Sequence, residues 1–183
     1  DKKPNAFYVF VPGGNHVAAV GKTYNALGLK AAGVTLIGPG DLTQDTMLHQ
    51  MDPAIIGLRT VGHYSSDLDT PRNKAFVAAY RKAYNATPDF VSVGGYDGMA
   101  AVFEIIKKVK GKITAEKALA ALKGWKFDSP RGPIMIDPVT RDIVQNEYVF
   151  EVIKVGDRLG TKTLRTFPAV KDQCKELKIG RCK

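Results

Sequence analysis

The first third of the chain alternates unbroken apolar runs with stretches of helical spacing, and that alternation leaves few folds open. Residues 5–12 (NAFYVFVP) are almost continuously apolar, the pattern of a parallel strand buried on both faces. Pro12-Gly13-Gly14-Asn15 then turns the chain. Val17, Val20, Tyr24 and Leu27 recur at helical spacing, and Gly28 with Gly33 marks the stop. A second strand over residues 34–37 (VTLI) closes on Gly38-Pro39-Gly40-Asp41. A short helix follows over residues 42–50, then a third strand over residues 55–61 (IIGLRTV). This β-α-β-α-β order predicts an α/β fold with parallel strands and right-handed crossovers.

Beyond the third strand the pattern changes. Residues 63–69 (HYSSDLD) form a polar connection, after which Thr70 and Pro71 read as an N-cap and a proline at the first helical position. Phe76, Val77, Tyr80 and Tyr84 give that helix an apolar stripe. Residues 88–93 read as extended and lead into Gly94-Gly95-Tyr96-Asp97-Gly98. A further helix carries Met99, Val102, Phe103, Ile106 and Val109 on one face, and Thr114 caps another whose inner face is Ala118, Leu119 and Leu122. The remainder reads as strands with turns at Asp137-Pro138 and Gly156-Asp157, then a polar tail.

A formal net charge of +9 raises the question of nucleic acid, but the 27 basic residues are scattered and no nucleic-acid module has its spacing here. A solvated basic surface, or a field that favours an anionic ligand, accounts for the excess. No apolar run approaches the roughly 20 residues of a membrane span. The opening Asp1-Lys2-Lys3-Pro4 lacks the basic-then-apolar form of a signal peptide, so a mature or internal start is expected. Cys174 and Cys182 suit a local disulfide stapling the tail in an oxidising compartment; two free thiols are the other reading. Zinc needs more ligands than two cysteines, and His16, His49 and His63 lie far away without paired spacing.

No catalytic constellation emerges, and neither an enzyme nor a cofactor is expected. Gly21-Lys22-Thr23 looks like the end of a phosphate-binding loop, but His16 stands where the first glycine belongs and the lysine falls inside a helix. No G-x-S-x-G elbow is present. Asp128, Asp137 and Asp142 flank prolines and glycines and read as turn caps. The turns at Gly13-Gly14 and Gly38-Pro39-Gly40-Asp41 carry more. Both follow strands, and open parallel sheets bind ligands in the crevice beyond the carboxyl ends of their strands. Plain tight turns are the alternative reading.

Several stretches also resemble one family. FYVFVPGG at residues 7–14, Leu36-Ile37-Gly38-Pro39, KAFVAAY at residues 74–80, Gly95-Tyr96-Asp97-Gly98 and, most specifically, SPRGPIMIDPVTRDIVQNEYVF at residues 129–150 resemble the type I periplasmic solute-binding proteins of the branched-chain amino acid group. The last stretch is most similar to a subgroup that includes binders of aromatic carboxylates. The resemblance covers the C-terminal half of such proteins. It implies parts of two Rossmann-like lobes joined by crossover segments: residues 1–63 and 146–183 in the second lobe, residues 64–145 in the C-terminal part of the first. The N-terminal half would be missing, and the hinge would lie near residues 63–67 and 137–145.

The same resemblance implies a ligand site at Gly14, Asn15, His16, Gly40, Asp41 and Tyr96. Asn15 stands where some members place an aromatic residue. Gly40 stands where amino-acid binders place an acid on the ligand's amino group, a departure that fits a carboxylate ligand without an amine. The implied role is capture of a small carboxylate (an aromatic acid, or a branched-chain or related amino acid) for an inner-membrane ABC permease, in the periplasm, with no nucleic-acid partner. A ligand-sensing domain of a receptor or regulator is the other role this fold serves. Two interrupted sheets would expose apolar faces, so pairing with the missing half or with a second copy is expected.

Overall fold

The three apolar runs form the parallel edge of a mixed sheet. In the computed structural model, which describes residues 4–182, β1 (Ala6–Tyr8), β2 (Thr35–Pro39) and β3 (Arg59–Gly62) pair in parallel, with Phe7 opposite Leu36 and Gly38 opposite Thr60. Helix α1 (Asn15–Ala26) crosses from β1 to β2, and a 3-10 turn (Gly40–Thr43) with the single-turn α2 (Asp45–Leu48) crosses from β2 to β3. Three longer helices follow: α3 (Pro71–Tyr84), α4 (Phe90–Lys108) and α5 (Ala115–Leu122). The chain then forms the hairpin β4 (Lys126–Ser129) and β5 (Gly132–Ile136), and the long hairpin β6 (Ile143–Val155) and β7 (Arg158–Val170).

Strand β6 integrates the molecule. Its first residues pair with β5, Val144 opposite Met135, and its middle pairs antiparallel with β3, Phe150 opposite Thr60. The strand order is β1-β2-β3-β6-β5-β4, with β7 also on β6. Two hydrophobic clusters result. Val17, Tyr24, Leu36, Leu42, Leu48, Met51, Ile55, Leu58 and Val152 pack between α1 and the parallel strands. Tyr148 and Phe150 of β6 meet Tyr64, Leu68 and Val93, with Phe76 and Phe90 at the margin. Each of these large side chains contributes roughly 1.5–3 kcal/mol by leaving water.

The caps at Thr70 and Thr114 form as the sequence predicts: Thr70 Oγ1 accepts from the amide of Asn73 at 3.1 Å, and Thr114 Oγ1 from that of Lys117 at 3.4 Å. Asn85, left-handed at φ 50°, stops α3. A short terminal helix, α6 (Gln173–Leu177), is capped by Asp172, and Cys174 is joined to Cys182 by a disulfide with Cα atoms 5.6 Å apart. Among the described residues no helix is long and apolar enough to cross a membrane.

Four expectations need correction. Strand β1 is three residues long and exposed, with Phe7 half exposed, because among the described residues it pairs only with β2, at the sheet's edge. The third apolar run begins not as strand but as a 3-10 turn (Pro53–Ile55) that drops Ile55 into the core. Residues 90–93 are helical, not extended. Asp89 accepts from the amides of Val91 and Ser92 while Ser92 Oγ accepts from the Asp89 amide, a capping box that starts α4 four residues before its glycine pair. On α5 the buried residue is Ala121, and Leu119 faces out. The outer face of α4 is likewise uncovered among the described residues: Met99, Val102, Phe103 and Ile106 are each 42% exposed or more.

Candidate functional site

The carboxyl ends of the three parallel strands meet the first turn of α4. After β1 the chain runs beside β2, the Val9 amide donating to Ile37 O at 3.0 Å, and reaches Gly13-Gly14. Gly14 sits at φ 89°, a conformation glycine adopts freely, and starts α1 with no side chain capping the helix. The other helices of eight residues or more are capped by their own Thr70, Asp89 and Thr114. The uncapped first turn of α1 therefore presents the positive end of its dipole at these strand ends.

Gln44 ties the turns together. Its Oε1 accepts from the Gly14 amide at 2.9 Å, and its Nε2 donates to Asp89 Oδ2 at 2.8 Å. Thr46 donates to the same oxygen at 3.2 Å. Partial burial pushes the Asp89 carboxyl up, but the hydrogen bonds from Gln44, Ser92 and Thr46 outweigh it and hold the group below its usual range. Next to Asp89, the ring of Phe90 reaches to 3.8 Å of where a Cβ on Gly13 would lie. Gly40 and Gly62, at the ends of β2 and β3, touch backbone to backbone; a Cβ on Gly40 would stand 3.2 Å from Gly62 Cα.

His63, the first residue past β3, packs edge-on against Phe90 with ring centroids 6.2 Å apart. Burial lowers its pKa to about 4, Arg131 pushes the same way, and Asp41 pulls weakly upward, so the imidazole is neutral at ordinary pH. Arg131 comes from the β4–β5 turn. Its Nε donates to Asp97 Oδ2 on α4 at 2.7 Å, Ser129 Oγ donates to the same oxygen at 3.0 Å, and Arg131 Nη1 bonds Gln145 Oε1. Tyr148 OH donates to Arg131 O at 2.8 Å and fixes the turn from behind.

The crossover after His63 is clamped from three sides. Asp45 Oδ1 accepts from Ser65 Oγ, the Ser66 amide and Ser66 Oγ at 2.7–3.2 Å. Thr161 of β7 bonds Ser65 Oγ at 2.6 Å and donates its amide to Asp67 Oδ2 at 2.9 Å, while Arg158 pairs with Asp67. Asn73 Nδ2 of α3 donates to Ser66 O and Leu68 O at 3.0 Å each. Burial raises the Asp45 carboxyl to about 7, against the hydrogen bonds from Ser66 and Ser65.

Of the residues picked from sequence, Gly14 is joined through Gln44 to the segment that follows Gly40 and Asp41, and Asn15 and His16 form the exposed first turn of α1. His16 also borders a groove of about 310 Å³ between α1 and β1. Tyr96 stands apart. Its ring packs 5.0 Å from Phe76, its hydroxyl accepts from Arg72 Nη2 at 3.1 Å, and it lines a different hollow with Phe103 and Trp125. Gln44, Phe90 and Arg131 are not among the residues picked from sequence, and His63 enters the sequence reading only as a lone histidine at the start of the hinge segment. His63 had a signal, since it follows its strand as directly as the glycine turns follow theirs. Phe90 needed the capping box at Asp89 and Ser92 to be seen first. Nothing local marks Arg131 except its place before Gly132, which is at φ 97°.

Comparison with known proteins puts this geometry in context. The sequence profile described as "Periplasmic binding protein" matches residues 1–157. A Leu/Ile/Val-binding protein homolog 6 from Brucella melitensis is 41% identical over 172 residues, which is 91% of this chain and 44% of that protein. A solute-binding protein of an ABC transporter from Rhodopseudomonas palustris BisB5, solved with 3,4-dihydroxybenzoic acid, superposes with a TM-score of 0.89 at 46% identity, covering 94% of this chain and 47% of that one. Another from Rhodopseudomonas palustris HaA2, solved with p-hydroxybenzoic acid, gives a TM-score of 0.87 at 38% identity, over 92% and 46% of the two chains. The chain thus spans about half the length of the relatives it matches.

Proposed function

This chain belongs to the periplasmic binding protein family, and from that membership we propose that it is the C-terminal half of the solute-binding component of an ABC importer. It takes up a small aromatic carboxylate outside the cytoplasm and presents it to an inner-membrane permease, without catalysing a reaction. The observation that carries this reading is the meeting of three strand-end turns with α4, where Gln44 joins Gly14 to Asp89 and Phe90 lies against both His63 and Gly13. In the proposed map residues 1–63 and 146–183 form the second lobe and residues 64–145 part of the first. The Gln44–Asp89 and His63–Phe90 contacts then run between lobes, and the clamped crossover at residues 63–67 lies at the hinge.

The ligand-facing set is Gly14, Asn15, His16, Gly40 and Asp41, joined by His63 and Phe90. Tyr96 serves at one remove, holding Arg72. The rest of the protein would grip the ligand carboxylate and cover the exposed faces of β1 and α4. An aromatic acid is favoured over an amino acid by Gly40. Its backbone lies on Gly62, where a Cβ would stand 3.2 Å from Gly62 Cα, a tight contact that disfavours the acidic side chain that would hold an amino group there. The relatives solved with hydroxylated benzoic acids support the same choice.

The test is thermal unfolding of the full-length protein with benzoate, 4-hydroxybenzoate, 3,4-dihydroxybenzoate and leucine. A ligand at a hundredfold excess over its Kd adds about 2.7 kcal/mol of stability. Stabilisation by the aromatic acids is expected; stabilisation by leucine alone, or by none of the four, overturns the reading.

A further inference from the structure

We infer that a cavity beside the crossover after His63, lined by none of the ligand-facing set, is a second binding site for a compact dianion, an inorganic oxyanion or a small dicarboxylate. The cavity holds about 360 Å³, within the range of small-molecule sites. Four separate segments line it: α2 with Asp45 and His49, the crossover with Ser66, the end of α3 and the loop after it with Arg81 and Thr87, and the start of β7 with Arg158. Two guanidiniums thus border one space, and only one of them is answered by a carboxylate. Arg158 pairs with Asp67, whereas Arg81, among the described residues, has a single long hydrogen bond, from Nη2 to Thr87 Oγ1 at 3.4 Å. A guanidinium offers paired N–H donors that match the oxygens of a carboxylate or oxyanion. Thr87 Oγ1 accepts from Arg81 and keeps its own hydrogen to donate, and the His49 ring brings a further N–H.

Asp45 is the one carboxylate on the lining. Its Oδ1 is taken up by Ser65 and Ser66, and burial raises its pKa to about 7, so near neutral pH much of it carries no charge. The other charged and titratable groups around it are His49 on its own helix, Tyr64 and Asp67 of the crossover, Asp89 before α4, Arg81 of α3 and Arg158 of β7. Asp67 is neutralised by Arg158, and Asp89 accepts from Gln44 and Thr46. A cation fits this space less well: among the described residues no group of three or more His, Cys, Asp or Glu is placed to hold a metal ion. In the proposed lobe map Arg81 and Thr87 lie in the first lobe and His49 and Arg158 in the second, so an anion held here would touch both. Only this bridging role rests on that map.

Calorimetric titration of the full-length protein with sulfate and with succinate, at pH 8 and constant ionic strength, tests the site. Saturable binding of at least one of the two is expected. Tighter binding of sulfate assigns the site to inorganic oxyanions, and tighter binding of succinate assigns it to dicarboxylates. Arg81→Gln, an exposed change with one long hydrogen bond to lose, should weaken the binding about tenfold or more. Asp45→Asn, which removes the repelling charge on the lining, should tighten it severalfold at that pH. No saturable binding of either anion, or binding that Arg81→Gln leaves unchanged, overturns the inference, as does equal or weaker binding by Asp45→Asn. No aromatic acid is present in these titrations, so their outcome is independent of the ligand class proposed above.

Discussion

Removing the Asp97 carboxylate should expose how much of the fold hangs on one buried ion pair. Asp97 and Arg131 have side chains only 6% and 10% exposed, and they meet at 2.7 Å. Asp97 Oδ2 also receives Ser129 Oγ, while Oδ1 has no partner among the described residues. In Asp97→Ala the guanidinium stays in the interior with Gln145 as its remaining polar partner, and an uncompensated buried charge costs about 3–5 kcal/mol. Against a typical stability of roughly 5–15 kcal/mol that is a large share. The pair itself is worth much less than its breakage. Both ions have lost water, and the bare Oδ1 shows that the carboxylate is not fully repaid. Asp97→Leu combined with Arg131→Met should therefore lie within about 1–2 kcal/mol of the unsubstituted protein. Urea unfolding of the ligand-free full-length protein, comparing midpoints at a common slope, measures both. A single substitution costing under about 1 kcal/mol would refute the burial argument. A double variant as damaged as the single would show that the loss comes from packing, not from stranded charge.

Asp45 should give stability a pH dependence opposite to that of ordinary carboxylates. Its folded pKa of about 7 lies above its usual value of 3.8, so the folded protein holds the proton more tightly than the unfolded chain. Its contribution is complete below about pH 4 and is lost as pH rises through 7. Asp45→Asn should flatten that fall in urea-unfolding stability between pH 5 and 8, and parallel curves would contradict the shift. Gly40→Ala places a methyl 3.2 Å from the Gly62 backbone, which has no rotamer to yield. A loss of about 1–3 kcal/mol in thermal unfolding is expected, together with weaker binding of 4-hydroxybenzoate. Thr70→Ala removes the bond to the Asn73 amide and should cost about 1 kcal/mol without changing ligand affinity.

Much of this molecule is written locally. The alternation of apolar runs and helical spacing dictates parallel strands, because each run is too short to be a helix and each connection long enough to cross over. Thr70 with Pro71, and Thr114, announce their helices because a cap is a bond between a side chain and an amide three residues away. The glycine turns after the first two strands are legible for the same reason: strand ends and backbone freedom are local properties. What tertiary structure alone decided lies at longer range. Residues 90–93 look like strand by composition, yet the Asp89 cap and the complete burial of Val93 make them helix and so deliver Phe90 to the site. Arg131 finds Asp97 across 34 residues, and Gln44 finds Asp89 across 45. His63 owes its neutrality to burial, with Arg131 of the β4–β5 turn pushing the same way. Such pairings depend on how α4 and the β4–β5 turn dock on the sheet, and no spacing rule records that. Turns, caps and strand order are short-range chemistry and can be read along the chain; the charge state and partners of the site exist only once distant segments have excluded water together.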